Sequence, residues 1–254
     1  MPYLEGLYYY AYHPQDQERT PVVLIHGAGG DYLHWPVQLR RLSGYRVYAL
    51  DLPGHGKSEG HGMQEIGSYA RIVIEWLNEM EIPKAVLIGH SMGSAISLWL
   101  AIHHPDRIWG LGLLGSGPRL PVNPMLLDEV GHQSSFPAAV EKIIQWSFSP
   151  HTDRDLVELA EERMLETRPS VLRGDFLACD TFDVRERLQQ VTAPTLVVCG
   201  SDDKMVPRRL SQQLVDGIPD AEMEVISDTG HMLMIERPEA VASALGPFLE
   251  RITG

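Results

Sequence analysis

Short apolar runs recur along the chain, and turns rich in glycine, proline or polar residues separate them. The clearest runs span residues 22–25, 47–50, 86–88, 108–114 and 195–199. They lack the alternation of apolar and polar positions that is typical of a strand with one solvated face. We therefore predict strands that are buried on both faces, as in a parallel sheet. A weaker pattern at residues 5–7 and 8–10 predicts a short antiparallel start to the sheet.

The segments between these runs carry apolar residues at helical spacing. Residues 64–80 and 236–252 each present one apolar face, and residues 92–103 are apolar nearly all round and end before Pro105. Short strands that alternate with helices predict an α/β layer architecture with right-handed crossovers. A chain of this length is expected to bury roughly 70–75% of the surface that it exposes when unfolded.

The alternation breaks between residues 118 and 184, where the pattern is helical throughout. Four helices are predicted, at residues 124–130, 138–148, 153–167 and 171–179. Thr152 is the predicted N-cap of the third helix, with Asp155 in its first turn. We predict a core domain formed by residues 1–117 and 185–254, and a helical cap (118–184) inserted over the carboxyl ends of the strands, where open α/β sheets bind ligands.

Charge and composition exclude several classes of partner. The chain has 254 residues, 21 Lys plus Arg and 34 Asp plus Glu, and its formal net charge of −13 argues against binding to nucleic acid or to an anionic membrane. Cys179 and Cys199 are too few for a disulfide framework and favour a reducing compartment, although one bridge is possible. No apolar run approaches the ~20 residues of a membrane span, and the N-terminus lacks the pattern of a signal peptide. We expect a cytoplasmic protein without membrane insertion.

The strongest chemical motif is the pentapeptide GHSMG at residues 89–93. It lies between a predicted strand and a predicted helix, which is the context of a nucleophile elbow. Glycines two positions before and after Ser91 allow close backbone contacts in a tight, strained turn. Ser91 is therefore the predicted nucleophile.

A serine nucleophile needs a base, and the base needs an orienting carboxylate. Asp202 and Asp203 follow the predicted strand at 195–199, and His231 follows an apolar segment before the last helix. The residues on their own leave both aspartates open. A nucleophile, an acid and a histidine in this chain order match the order of the α/β-hydrolase scaffold.

Over residues 5–252 the chain resembles α/β-hydrolase-fold enzymes. Four segments match in the family's order: HGAGG at 26–30, DLPGHGKS at 51–58, the elbow, and the C-terminal segments around Asp203 and His231. The resemblance implies a mostly parallel sheet of about eight strands with helices on both faces and an inserted helical cap. The family's acid lies three residues after a strand-end glycine and four before a proline, so Gly200 and Pro207 favour Asp203 over Asp202.

The resemblance also implies an oxyanion hole made from backbone N–H groups. One donor would be Met92, which follows the nucleophile, and the other Ala28, with Gly29 as the alternative. His26 would hold the loop that shapes this hole and is not the base. Because the nucleophile is serine, the dehalogenase and epoxide hydrolase branches, which attack through an aspartate, are disfavoured.

Large apolar residues near the motifs are candidates for an acyl pocket, although plain core packing explains each of them as well. These candidates are Trp35, Phe136, Trp146, Phe148, Met205 and Met232. No group of His, Cys or carboxylate residues has the spacing of metal ligands, so we predict no metal site. The loop at 27–30 lacks the pattern of a nucleotide site, and we predict no cofactor.

The predicted function is the hydrolysis of carboxylic esters with small to medium acyl chains, with Ser91, His231 and Asp203 as nucleophile, base and acid. The same triad could instead cleave lactones or C–C bonds, or support cofactor-free lyase or perhydrolase chemistry. A slow-turnover ligand sensor is a third class. The predicted partner is a small-molecule ester, and the protein is expected to be a monomer or a homodimer.

Overall fold

The computed structural model describes residues 3–13 and 20–253. Within these ranges eight strands form one sheet in the order β1-β2-β4-β3-β5-β6-β7-β8. The strands are β1 (Tyr3–Leu4), β2 (Leu7–Tyr12), β3 (Pro21–Ile25), β4 (Arg46–Leu50), β5 (Ala85–His90), β6 (Ile108–Leu114), β7 (Thr195–Gly200) and β8 (Ala221–Ile226). Strands β3 to β8 are parallel to one another, and β2 is antiparallel to β1 and β4. The predicted α/β class and the mostly parallel sheet are confirmed.

The apolar runs form the central strands for the expected physical reason. Every residue of β3 and β5 is buried, and alternate residues enter opposite layers of the core. Val23 and Ile25 pack on one face of the sheet, whereas Val22 and Leu24 pack on the other. The antiparallel start also exists, but residues Glu5 and Gly6 form its turn at positive φ and not a strand as predicted.

Ten helices lie within the described residues. They are α1 (Val37–Arg40), α2 (Ile66–Glu79), α3 (Met92–His103), α4 (Pro124–Glu129), α5 (Phe136–Ser147), α6 (Arg154–Leu165), α7 (Pro169–Asp180), α8 (Arg208–Gly217), α9 (Leu233–Glu236) and α10 (Pro238–Thr253). Helices α2, α3 and α8 contribute to the layer that contains Val23, and α1 and α10 to the layer that contains Val22. None of the helices in the described part of the chain is long and apolar enough to cross a membrane.

Two local details differ from the sequence-based expectation. Helix α8 was not predicted, because its buried face consists of Leu210, Ser211 and Leu214 in an otherwise polar segment. Helix α6 is capped by Asp153, whose carboxylate accepts the N–H of Asp155 at 2.9 Å, and not by Thr152. The hydroxyl of Thr152 instead donates to the buried carboxylate of Glu236.

The segment 118–184 holds helices α4 to α7 between β6 and β7, and we call it the inserted segment. Its ends meet, because the N–H of Val184 donates to the carbonyl oxygen of Pro118 at 2.9 Å and Arg119 pairs with Asp183. The segment packs against loops that follow the carboxyl ends of β3, β4, β7 and β8. The division of the chain into a core domain and a separate cap domain stays a prediction.

Candidate active site

Backbone crowding shapes the turn between β5 and α3. Ser91 lies between these elements with φ 52° and ψ −114°, a strained conformation for a residue with a side chain. A Cβ atom on Gly89 would come within 2.3 Å of the carbonyl carbon of Gly93, and one on Gly93 within 2.0 Å of the carbonyl oxygen of Ile25. Both glycines are therefore required sterically, and the pentapeptide forms the predicted elbow.

Two hydrogen bonds hold the elbow in place. The N–H of Ser91 donates to the carbonyl oxygen of Leu114 at 2.9 Å, which ties the turn to the end of β6. The hydroxyl of Ser94 donates to the carbonyl oxygen of Gly89 at 2.7 Å, so the first turn of α3 is fastened back to β5. The position of the serine is thus fixed by its neighbours and not by its own side chain.

His231 and Asp203 meet as a buried pair. The Nδ1–H of His231 donates to Oδ2 of Asp203 at 2.8 Å, and the other carboxylate oxygen accepts the N–H of Val206 at 2.8 Å. The neighbouring carboxylate of Asp202 faces the hydroxyl of Ser149 at 2.6 Å, and this hydrogen bond lowers its pKa. The geometry therefore favours Asp203 as the partner of the histidine.

The imidazole of His231 lies beside the elbow. Its ring centroid is 4.7 Å from that of His90, the residue before Ser91, and the Nε2–H of His90 donates to the carbonyl oxygen of His231 at 2.9 Å. Burial, followed by the nearby charge of His231, holds the pKa of His90 well below its usual value. His90 is therefore a neutral structural residue that joins the nucleophile and base loops.

The loop after β3 lies next to the serine. A Cβ atom on Gly27 would lie 3.2 Å from Cβ of Ser91, so the side chain of Ser91 lies close to Gly27. The carbonyl oxygen of Gly27 accepts Nδ1–H of His26 at 2.8 Å and the N–H of Gly30 at 3.1 Å. In a trans peptide the N–H points away from the carbonyl oxygen, so the N–H of Ala28 points away from His26 and Gly30, which bind the carbonyl oxygen of Gly27.

The choice between the two loop donors follows from their partners. Across residues 3–13 and 20–253, the N–H groups of Ala28 and Met92 are used in no hydrogen bond. The N–H of Gly29, by contrast, donates to Oδ2 of Asp175 at 2.8 Å. A donor that is already engaged is not available to a developing oxyanion, so the geometry favours Ala28 together with Met92.

The motif at 51–58 forms hydrogen bonds that hold the loop after β3. The buried carboxylate of Asp51 accepts the N–H of Tyr32 at 2.7 Å and the N–H of Lys57 at 2.8 Å. Burial raises its pKa to about 6. The N–H of Leu52 donates to Nε2 of His26 at 3.0 Å, which fixes the imidazole that holds the loop.

Sequence reasoning missed Asp175, a fully buried carboxylate on α7. Its Oδ2 lies 2.8 Å from Nε2 of His55, and its Oδ1 accepts the hydroxyl of Tyr69 at 2.5 Å. Burial by itself would lower the pKa of His55, but the charge and hydrogen bond of Asp175 outweigh it and raise that pKa. The detectable signal was an aspartate on the otherwise apolar face of α7.

Glu236 is a second buried carboxylate that sequence reasoning missed. Its Oε1 accepts the N–H of Gly230, the residue before His231, at 2.9 Å. Its Oε2 accepts the N–H of Ser149 at 3.0 Å and the hydroxyl of Thr152, both in the inserted segment. The loop that carries the histidine is thereby joined to the inserted segment.

A cavity of about 930 Å³ opens beside residues 26–30 of the loop after β3, which we call the oxyanion loop after its predicted role. Gly29, Gly30 and His55 line it on the core side, and α6 lines it on the other. None of the six predicted acyl-pocket residues is among its lining residues. Trp35, Phe136, Phe148 and Met232 are buried in the core, and Trp146 and Met205 are partly buried against it. Their contact with substrate stays a prediction.

One group of side chains has the composition of a metal site. Ligand atoms of His151, Asp202 and Asp228 lie within 4.8 Å of one another. His151 and Asp228 are exposed, and the Asp202 carboxylate already accepts two serine hydroxyls. Hydrogen bonding explains this arrangement without an ion, and the absence of a metal from the reaction stays a prediction.

Comparison with known proteins identifies the family. A sequence profile described as alpha/beta hydrolase fold matches residues 20–238. The chain belongs to the α/β-hydrolase family. The match spans the elbow, Asp203 and His231, and it includes the inserted segment.

Two curated relatives and one solved structure illustrate the range of this family. The chain is 33% identical over 241 residues to the dihydrolipoyllysine-residue acetyltransferase component of the acetoin cleaving system of Pseudomonas putida, covering 91% of this chain and 64% of that protein. It is 30% identical over 251 residues to a 2-hydroxy-6-oxononadienedioate/2-hydroxy-6-oxononatrienedioate hydrolase of Cupriavidus pinatubonensis, covering 90% and 86%. The structure of a thermophilic esterase matches with a TM-score of 0.84 and 30% identity, covering 98% and 96%.

The pairing of Asp203 with His231 leads to a first prediction. Asp203→Asn is expected to lower kcat for ester hydrolysis by a factor of about 10⁴, because the imidazole loses the carboxylate that sets its tautomer. Asp202→Asn is the matched control and is expected to stay close to the wild-type rate. Steady-state kinetics of both variants test the assignment, and a larger loss in Asp202→Asn would reverse it.

The raised pKa of His55 leads to a second prediction. A histidine whose pKa is raised in the folded state stabilises the fold below its ordinary pKa of about 6.5, and this contribution is lost as the pH rises through the folded value. His55→Gln is therefore expected to lower the free energy of unfolding more at pH 6 than at pH 9. Urea unfolding of both proteins at the two pH values measures the difference. An equal destabilisation at both values would contradict it.

Proposed function

We propose that this α/β hydrolase cleaves carboxylic esters with small to medium acyl chains through an acyl-enzyme intermediate. The observation that carries the proposal is the buried Asp203–His231 pair beside an elbow that holds Ser91 at positive φ. This set of groups is what acyl transfer to a serine requires: a nucleophile, a base, and an acid that orients the base.

In the proposed reaction, Oγ of Ser91 attacks the ester carbonyl while Nε2 of His231 takes up its proton. The imidazolium then passes the proton to the leaving alcohol as the C–O bond breaks. A water molecule, deprotonated by the same nitrogen, attacks the acyl-enzyme, and Ser91 regains its proton as the acid is released. Asp203 stays ionised and holds Nδ1–H throughout.

Charge on the tetrahedral intermediate would be stabilised by the N–H groups of Ala28 and Met92. The loss of one donor of this kind costs about 2.7–4 kcal/mol of transition-state stabilisation in serine hydrolases. Met92 is the first residue of α3, so the positive end of the helix dipole adds to its effect. The location of both donors beside Ser91 supports acyl transfer over simple binding.

The comparisons support an ester substrate but leave another class open. The thermophilic esterase shares 30% identity with nearly the whole chain. The relative from Cupriavidus pinatubonensis, at the same identity, is named for an oxo-dienedioate substrate. Its similarity favours C–C bond hydrolysis as the second candidate, with lactones as related substrates. We also propose a cytoplasmic monomer or homodimer, and the two buried free cysteines support a reducing compartment.

The third prediction concerns p-nitrophenyl esters from C2 to C16. The wild type is expected to turn over the short and medium chains, and Ser91→Ala to lose steady-state hydrolysis while it stays folded. Ser97→Ala is a matched control, because its buried hydroxyl donates to a carbonyl oxygen within α3.

Each outcome of this experiment has a distinct meaning. Activity retained in Ser91→Ala would show that Ser91 is not the nucleophile. A preference for long chains would indicate a lipase. Without ester turnover, hydrolysis of lactones or of ring-cleavage dienones would move the proposal to the second candidate, and a single burst of one equivalent would indicate a slow-turnover sensor.

A further inference from the structure

The inserted segment binds both backbone polar groups of one residue, Gly29, in the loop after β3. The N–H of Gly29 donates to Oδ2 of Asp175 at 2.8 Å, and its carbonyl oxygen accepts the hydroxyl of Thr167 at 3.1 Å. Gly29 itself adopts φ +65°, and a Cβ atom there would lie 2.9 Å from Cδ1 of Leu172. The backbone next to the expected donor Ala28 is thus held by a side chain just before α7 and by side chains within α7.

The two peptide planes that flank Ala28 are both held, which restricts how its N–H can point, and the bond of Thr167 holds the plane after them. The carbonyl oxygen of Gly27, fixed by His26 and Gly30, orients the peptide that contains that N–H. The N–H of Gly29, fixed by Asp175, orients the next peptide. With both planes held, the φ and ψ angles of Ala28 have little freedom, since each peptide is a rigid plane.

Asp175 is in turn held by the core and not by its own helix. Nε2 of His55 and the hydroxyl of Tyr69 both bond to its carboxylate, and the Tyr69 oxygen accepts the N–H of Met63 at 2.8 Å. The carboxylate is completely buried, so its position is set by three donors from three core elements. A buried charge with this many donors has one favoured position, because moving it would leave donors unpaired.

We propose that Asp175 is a positioning residue for the oxyanion hole, and that the inserted segment, through Asp175 and Thr167, sets the direction of the N–H of Ala28. The inference rests on the proposed function only in that it assigns a catalytic use to that N–H. On this view Asp175 acts on the catalytic site through the backbone of Gly29, and the rest of α7 takes no part in the reaction. The competing interpretation is that Asp175 only ties the inserted segment to the core.

The two interpretations differ in whether kcat changes when Asp175 is substituted. A misdirected oxyanion donor weakens the transition state and leaves ground-state binding nearly intact, so kcat falls while KM stays similar. If the role of Asp175 is only structural, its substitution lowers thermal stability and leaves the kinetics of the folded enzyme unchanged. Asp175→Asn keeps the shape of the side chain but removes its charge and one of its two acceptor oxygens.

The fourth prediction is tested with Asp175→Asn, Thr167→Val and the control Asp180→Asn. Asp180 is exposed on the same helix and accepts the N–H of Val122, within the inserted segment. We expect Asp175→Asn to lower kcat about 10- to 100-fold, less than the loss of a whole donor, with KM changed by less than about threefold. The affinity of Asp175→Asn for a trifluoromethyl ketone, which mimics the tetrahedral intermediate, should fall by the same factor as its kcat/KM. Thr167→Val should give a smaller loss of the same kind, and Asp180→Asn none.

A second readout does not depend on ester turnover. Amide hydrogen exchange at residues 27–30 is expected to be faster in Asp175→Asn than in Asp180→Asn and the wild type. In fluorophosphonate labelling, Oγ of Ser91 attacks phosphorus, His231 takes up the hydroxyl proton, and fluoride leaves as the P–F bond breaks. This labelling is expected to slow in Asp175→Asn, because the phosphoryl oxygen would bind in the same oxyanion hole. If Asp175→Asn does not fold, Thr167→Val carries both measurements.

The outcomes separate this inference from the proposed function. Wild-type kcat in a folded Asp175→Asn, or unchanged exchange at residues 27–30, would overturn the positioning role and leave the esterase assignment intact. If the wild type hydrolyses no ester, but Asp175→Asn shows the expected changes in amide exchange and labelling relative to the wild type, the esterase assignment alone is overturned.

Discussion

The close approach of two backbones at the start of α3 is the constraint on which the site depends. The Cα of Gly93 lies so near the carbonyl group of Ile25 that no side chain fits between the helix and β3. This contact pulls α3 onto the end of the sheet and forces Ser91 into its left-handed conformation. The same approach brings the loop after β3 close to the serine, so the proposed nucleophile and the proposed oxyanion donors are positioned by the same packing contact. Strain of about 1–3 kcal/mol at such a residue is tolerable only because the surrounding contacts over-determine it.

Buried carboxylates then hold the loops that this packing brings together. Asp175 engages the oxyanion loop, Glu236 engages the loop of the histidine, and each also joins the inserted segment to the core. Burying an ionised carboxylate is costly unless its oxygens are hydrogen-bonded, and here each is served by three donors. The arrangement exchanges apolar packing for directional bonds, which fixes loop geometry more sharply than contact between apolar surfaces would.

The parts of the site that could be predicted from the sequence are those with local requirements. The elbow needs glycines at fixed offsets from Ser91, and buried parallel strands need unbroken apolar runs, so both are visible within a few residues. Asp175 and Gly29 are 146 positions apart, and nothing near either one indicates their contact. Helix α8 escaped detection because only three of its residues are buried, and Thr152 was mistaken for a cap because its bond to the distant Glu236 leaves no local trace.

The distribution of buried groups in the inserted segment also bears on how a substrate reaches the serine. Helix α7 is anchored by a buried charge whose release would leave the N–H of Gly29, His55 and Tyr69 without their acceptor. Helix α6 borders the cavity beside the oxyanion loop, and Met164 is the one residue of α6 that is buried. Val157 and Ala160 of α6 are partly buried against the core, but none of the described side chains of α6 takes part in a buried ion pair, so α6 is held by fewer buried polar contacts than α7. An opening of the inserted segment is therefore expected at α6, while α7 stays in place and keeps its contacts with the loop after β3.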